Sequence, residues 1–173
     1  RVGDWAEIGL GEAGWNRLVE RCRAPVPFAT WQFQTSWYRA FAPGPLHLLA
    51  AQDGVGEWTG VLPLYETPTP DGPVLRLVGG TDVADYLDLI AVGGREEEVW
   101  KVFLPALAET RGRVVDLRPI PVASPTAGLL TGLAPSAGLT CRVDVEDRCP
   151  VIDLPESWEA YLAGLSGKDR HEL

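Results

Sequence analysis

The chain has 173 residues, 46% of them hydrophobic and 23% charged, with a formal net charge of −9. That size and composition fit one globular domain with a real apolar core and exclude a disordered chain. The acidic balance argues against a nucleic-acid backbone or an anionic membrane as the main partner, since both need a basic footprint, and no apolar run approaches the ~18 residues of a membrane-spanning helix. Three cysteines, Cys22, Cys141 and Cys149, lack metal-type spacing, and their odd number fits reduced thiols in a cytoplasmic protein. His47 and His171 lie far apart in sequence, which argues against a His-based zinc site. There is no Met, even at position 1, so the chain reads as processed or as part of a longer one.

Trp15, Leu18, Val19 and Cys22 fall at i, i+3, i+4 and i+7, the pattern of an amphipathic helix that Pro25-Val26-Pro27-Phe28 ends. Thr30 is placed to cap a second helix carrying Phe33, Trp37 and Phe41 on one stripe, with Trp31 and Tyr38 beside it. Leu46 to Ala51 and Trp58 to Tyr65 read as a hairpin joined through Asp53-Gly54. Thr67 to Pro73 reads as a proline-rich loop, and Val74 to Val78 as a strand. A strand over Tyr86 to Val92 follows, then a helix over Glu96 to Thr110 that Pro105 should kink or delay. Val114 to Leu117 is predicted as a short strand and Thr126 to Ala137 as a small helix. Cys141, Val143 and Val145 alternate with charged residues, which predicts a half-wet strand. Pro150 to Leu154 is predicted as another. Trp158, Tyr161, Leu162 and Leu165 predict a last helix, capped by Ser157 or by an Asp153–Glu156 box, that runs through Gly167 to Leu173 without a stop signal. The sum is an α/β (α+β) domain with a mixed, mostly antiparallel sheet flanked by the helices at Trp15, Trp37, Trp100 and Trp158.

The stretch from Val78 to Ile90 concentrates the polar chemistry. Gly79 and Gly80 break a strand and let another group approach the backbone. Asp82, Asp85 and Asp88 follow, either as a polar turn capping backbone N–H groups or as carboxylates holding a cationic or hydroxyl-rich substrate. Asp82 fits the turn better, while Asp85 and Asp88 fit both readings. Trp31 and Tyr38 are candidates for an aromatic shelf, whereas Trp37 sits at a core position. Ser166, Lys168 and Arg170 form a polar cluster that either binds an anion or compensates a helix C-terminus. No glycine-rich phosphate loop and no Gly-x-Ser-x-Gly elbow is present; Val92-Gly93-Gly94-Arg95 precedes a helix but reads as a plain turn. His171-Glu172 matches only the start of a zinc-binding helix motif.

In order along the chain stand Pro27-Phe28 before Trp31 and Trp37; Leu62-Pro63-Leu64; Gly79-Gly80 with Asp85-Tyr86-Leu87-Asp88; Cys149-Pro150; Leu154-Pro155 with Ser157-Trp158; and Leu165-Ser166-Gly167-Lys168-Asp169-Arg170. This ordered set resembles the first half of the CelD/BcsL-type GNAT-like acetyltransferases associated with polysaccharide biosynthesis and, more distantly, the FemABX aminoacyl transferases. The resemblance implies that residues 1–173 form one GNAT-like N-terminal lobe, with an acetyl-CoA-binding lobe following it. It implies acetyl-CoA for the parent protein and no cofactor in this chain. Asp85 and Asp88 would bind the acceptor or act as general base. Tyr86, Trp31 and Tyr38 would contact a sugar or amine acceptor, and Lys168 or Arg170 would neutralise phosphate or carboxylate. The other reading is a non-catalytic module that binds saccharide or a protein partner.

Overall fold

The computed structural model describes residues 3–41, 43–110 and 112–171. Asp53 builds the first hairpin: its Oδ1 accepts the N–H groups of Val55 and Glu57 at 3.1 and 2.9 Å. This turn joins β1 (Leu46–Gln52) to β2 (Trp58–Thr69) in antiparallel register. β2 runs further than the sequence predicts. The expected loop at Thr67 to Pro73 is instead a second hairpin into β3 (Gly72–Leu77), closed by Thr69 Oγ1 donating to Gly72 O at 2.7 Å. Pro68 and Pro73 face each other next to that turn, at the ladder's end rather than its middle. β4 (Ile90–Ala91) pairs antiparallel with the start of β2, and β5 (Val114–Asp116) pairs parallel with β3. The sheet is open and mostly antiparallel, in the order β1-β2-β3-β5 with β4 alongside β2.

Successive residues of β1 and β2 point to opposite faces, and each face carries a helical layer. Leu46, Leu48, Val61 and Tyr65 meet Trp15, Leu18 and Val19 of α1 (Gly11–Glu20) and Trp37 of α2 (Trp31–Phe41). Leu49, Leu62, Leu64, Leu75 and Leu77 meet Val99, Trp100, Phe103 and Leu107 of α3 (Glu96–Ala108), with α4 (Thr126–Leu133) beside it. Trp15, Trp100 and Phe103 are fully buried; each contributes roughly 2–3 kcal/mol through burial. Thr30 caps α2 as expected, accepting the Phe33 N–H on its Oγ1 at 3.4 Å. Pro105 does not delay α3, which begins at Glu96. It sits near the C-terminal end, where one missing N–H removes only one ladder bond.

Three predicted strands are corrected. Over Tyr86 to Val92 only Ile90–Ala91 joins the sheet: the next residue to face β2 in that register is Asp88, opposite Pro63, which has no N–H to offer and whose carbonyl already accepts Val78 N–H at 3.0 Å. Val92 makes one further bridge, to Cys22. Residues 141–145 and 150–154 are not strands. Their alternation finds no ladder partner, and Val143, Val145, Val151, Ile152 and Leu154 are exposed.

The chain divides into two compact units, one through Val143 and one from Asp144 onward. The helices at Trp15, Trp37 and Trp100 pack on the sheet, while the helix at Trp158 belongs to the second unit. That unit holds α5 (Trp158–Gly164) and α6 (Gly167–His171) in place of one continuous helix, because Leu165 adopts an extended ψ of 149°. Ser157 is the cap, accepting the Ala160 N–H at 3.1 Å, and the Trp158 and Tyr161 rings stack at 5.3 Å. Glu172, Leu173 and the side chain of His171 lie outside what is described.

Gly80 has φ 63°, and an added Cβ would lie 2.8 Å from Trp37 Cζ2. Gly80→Ala should therefore destabilise the fold by about 2 kcal/mol, from left-handed backbone and overpacking together. Gly128, within α4, has open space where an alanine methyl group would stand. Gly128→Ala should instead stabilise by about 0.5–1 kcal/mol. Urea unfolding of the two variants measures both signs.

Candidate functional site

β3 parts from β2 at Leu77, and β4 rejoins β2 only at Gly60–Val61. Pro63 sits at the break. It has no N–H to donate, and its carbonyl accepts Val78 N–H at 3.0 Å as the chain turns away. The carbonyl of Val78 is then taken by the Gln34 side chain, whose Nε2 donates to it at 3.0 Å and to Phe28 O at 2.7 Å. Gly79 and Gly80, at φ 126° and 63°, carry the chain out of the sheet with Leu87 and Trp37 packed too close for any Cβ.

The excursion leaves a cavity of about 350 Å³ beside the break. Its walls are mainly apolar, from Ala24–Val26, Pro63, Leu77, Val78, Leu87, Leu89–Ala91 and Pro121. Its polar lining comes from Arg23, Gln34, Tyr86, Asp88, Glu96 and Ser124, with the Cys22 thiol. Asp88 is mostly buried. Its Oδ1 accepts from Thr126 Oγ1 at 2.6 Å and from Leu89 N–H at 2.7 Å, and its Oδ2 accepts from Ser124 Oγ. Burial pushes its carboxyl above the ordinary aspartate range, against these three donors, and the charge of Glu96 adds to the rise. Trp100 Nε1 donates to Thr126 Oγ1 at 3.4 Å, so a polar chain runs from the α3 core to Asp88. Glu96 accepts a two-pronged hydrogen bond from Arg23, Nε to Oε1 at 3.0 Å and Nη2 to Oε2 at 3.4 Å. Burial works to raise the Glu96 carboxyl, but Arg23 and backbone N–H groups hold it net below its ordinary value. Gln34 is 1% exposed, and with its amide protons on two carbonyls its Oε1 is a buried acceptor without a partner.

The residues singled out in the sequence separate into three places. Tyr86 and Asp88 line the cavity; Asp85 is exposed on the same excursion. Trp31 and Tyr38 both flank Trp5, with ring centroids 5.6 and 6.0 Å away, and Tyr38 Oη donates to Gly44 O at 2.6 Å. Neither lines the cavity. Trp37 is a core residue, as its position predicts. Lys168 and Arg170 belong to the second unit, where Arg170 Nη2 donates at 3.0 Å to the carbonyl of Leu165, the extended residue just after α5.

Sequence reasoning missed Gln34, Arg23, Glu96, Ser124 and Thr126. Gln34 had a signal: it lies three residues from both Trp31 and Trp37, a polar side chain inside an apolar stripe. Among the described residues no three His, Cys, Asp or Glu side chains cluster as metal ligands, and no helix is long and apolar enough to cross a membrane. Compared with known proteins, the chain matches no family model, no curated protein and no solved structure.

Two measurements follow from this geometry. Folded Asp88 keeps its proton to higher pH than the ordinary value of 3.8, so the folded state binds more protons just above that value and stability falls as pH rises through the window. Asp88→Asn removes this linkage. The stability of the wild type relative to the variant, from urea unfolding between pH 3.8 and neutrality, should decline as pH rises. Burial also pushes the Cys22 thiol up to about 11, while Cys149 is exposed. Iodoacetamide at mildly alkaline pH should alkylate Cys149 roughly tenfold faster or more, read by peptide mass spectrometry.

Proposed function

We propose that this chain is the acceptor-recognising lobe of a GNAT-like acyltransferase, whose parent protein moves an acetyl group from acetyl-CoA to an amine or hydroxyl acceptor in polysaccharide or cell-envelope biosynthesis. The observation that carries the reading is that Tyr86, Leu87 and Asp88, part of one of the motifs behind the family resemblance, line the cavity beside the strand break. A nucleophile must present N–H or O–H, and this cavity offers an acceptor for such a donor, the carboxylate of Asp88. Holding the nucleophile at a fixed place and depth is a large part of what an acceptor lobe contributes to transfer. Asp88, with its pKa raised, is the candidate to take the acceptor's proton.

The donor does not fit the one helix start that follows paired glycines. A coenzyme A pyrophosphate would need open backbone N–H groups at a helix start. The start of α3, after Gly93-Gly94, carries Glu96, Glu97 and Glu98 in its first turn, a charge that repels phosphate. Acetyl-CoA binding is therefore assigned to the second lobe that the family resemblance implies, and no step involving it is drawn for these residues.

The test uses the full gene product with acetyl-CoA and a panel of amino sugars, polyols and apolar amines, following release of the coenzyme A thiol. Acceptor-dependent release, reduced at least about tenfold in kcat/KM by Asp88→Asn, is the expected result. Acceptor binding without any thiol release would instead favour the non-catalytic module. Titration of acetyl-CoA into residues 1–173 should give no saturable heat at about 10 μM, the level of a ~−7 kcal/mol interaction.

A further inference from the structure

We infer that the cavity beside the strand break takes a ligand with a primary ammonium on an apolar body, rather than a sugar hydroxyl or a free polyol. The inference rests on reading this cavity as the acceptor site, and it narrows the acceptor to one chemical class.

Charge makes the first argument. Three ionic side chains line the cavity: Arg23, Asp88 and Glu96. Arg23 and Glu96 neutralise each other through their paired hydrogen bonds. Asp88 is left with hydroxyl and amide donors, and no cationic side chain forms an ion pair with it among the described residues. A mostly buried carboxylate without a counter-charge either keeps its proton or takes a cation. The ligand is the group that can bring one.

Acceptor capacity makes the second. A carboxylate offers about four lone-pair directions, and Leu89, Thr126 and Ser124 fill three. One remains on Asp88. An ammonium carries three donors and no acceptor, which suits a site whose uncommitted acceptor is an anionic carboxylate. A sugar brings many hydroxyls, each acting as donor and acceptor, and most would face Pro25, Val26, Leu77, Leu87 and Ile90. Buried hydroxyls without partners oppose binding. The apolar wall calls for carbon of several methylenes or a ring, within the usual range of small-molecule sites.

The test is titration of the chain with hexylamine, 1-hexanol and glucosamine, followed by two-dimensional NMR of backbone and side-chain amides. Hexylamine should bind at least tenfold more tightly than hexanol. Its shifts should centre on Val78, Tyr86 to Ala91 and the Gln34 side-chain amide. Asp88→Asn, shown folded by its spectrum, should bring hexylamine down to the level of hexanol. Should that variant fail to fold, the wild-type amine-to-alcohol ratio and the shift map decide the matter alone. Equal binding of hexanol and hexylamine would overturn the ammonium assignment while leaving an acceptor site. Glucosamine binding in preference to hexylamine would overturn the apolar body and return the site to a saccharide. No binding of any probe, or shifts away from the cavity, would overturn the inference. The acceptor-lobe reading would still be judged separately, by thiol release from the full gene product.

Discussion

The Gln34 side-chain amide holds the region of the cavity together. Val78 ends its strand against the core, and its carbonyl faces away from any ladder partner. An orphaned buried carbonyl costs roughly 1–3 kcal/mol. Gln34, itself buried on α2, supplies the missing donor and uses its second amide proton on Phe28 O, at the short turn before the same helix. One side chain thus ties α2, the turn that leads into it and the exit from the sheet. Its price is an Oε1 without a partner. The tie is specific to an amide. Leu would fit the apolar stripe but leave both carbonyls unpaired, and Glu would bring a charge to a position 1% exposed.

Asp88 stands in the same relation to the other face. Burial raises its pKa, and three donors work the opposite way. Those donors come from separate places: its own neighbour's backbone, Ser124, and Thr126 at the start of α4. Thr126 is also the partner of Trp100, a fully buried residue of α3. The carboxylate is therefore positioned through Thr126 by the packing of α3 and α4, and not only by the loop that carries it. Rigid support of this kind separates a placed carboxylate from a solvated turn residue. Asp85, three residues earlier and exposed, has no comparable support.

Much of the fold is legible in the sequence because periodicity reports burial. Trp15, Leu18 and Val19 lie on one helical face and are buried together, and so do Val99, Trp100, Phe103 and Leu107. The Asp53-Gly54 hairpin and the Thr30 and Ser157 caps rest on local backbone chemistry, which a sequence displays directly. The failures share a cause as well. Alternation at Cys141 to Val145 describes what a strand would look like, but a strand also needs a partner, and pairing is non-local. The Thr67–Pro73 segment misleads the other way: its prolines suggest a loop, yet they stand at a hairpin end where a missing N–H costs little. Asp88 can be nominated from the sequence, but its partners Ser124 and Thr126 lie 36 and 38 residues away, and no local pattern links them. The sequence singles out the stretch that lines the cavity without indicating which aspartate is buried.

The break in the sheet and the cavity are one event. Continued in the register of Ile90 and Ala91, the strand predicted over Tyr86 to Val92 would have set Asp88 opposite Pro63 of β2, and no space would remain between β3 and β4. Pro63 disfavours that outcome because it offers no N–H to a neighbouring strand. Its one carbonyl is already used by Val78, and the Leu87 donor is taken up by Pro119 from a distant loop. Asp88, which would have stood opposite Pro63, instead turns its carboxylate to the Leu89 N–H and lines the site. A substitution that restored strand pairing here would fill the cavity with backbone even if every lining side chain were kept. The site therefore depends on where backbone hydrogen bonds are directed as much as on which side chains are present.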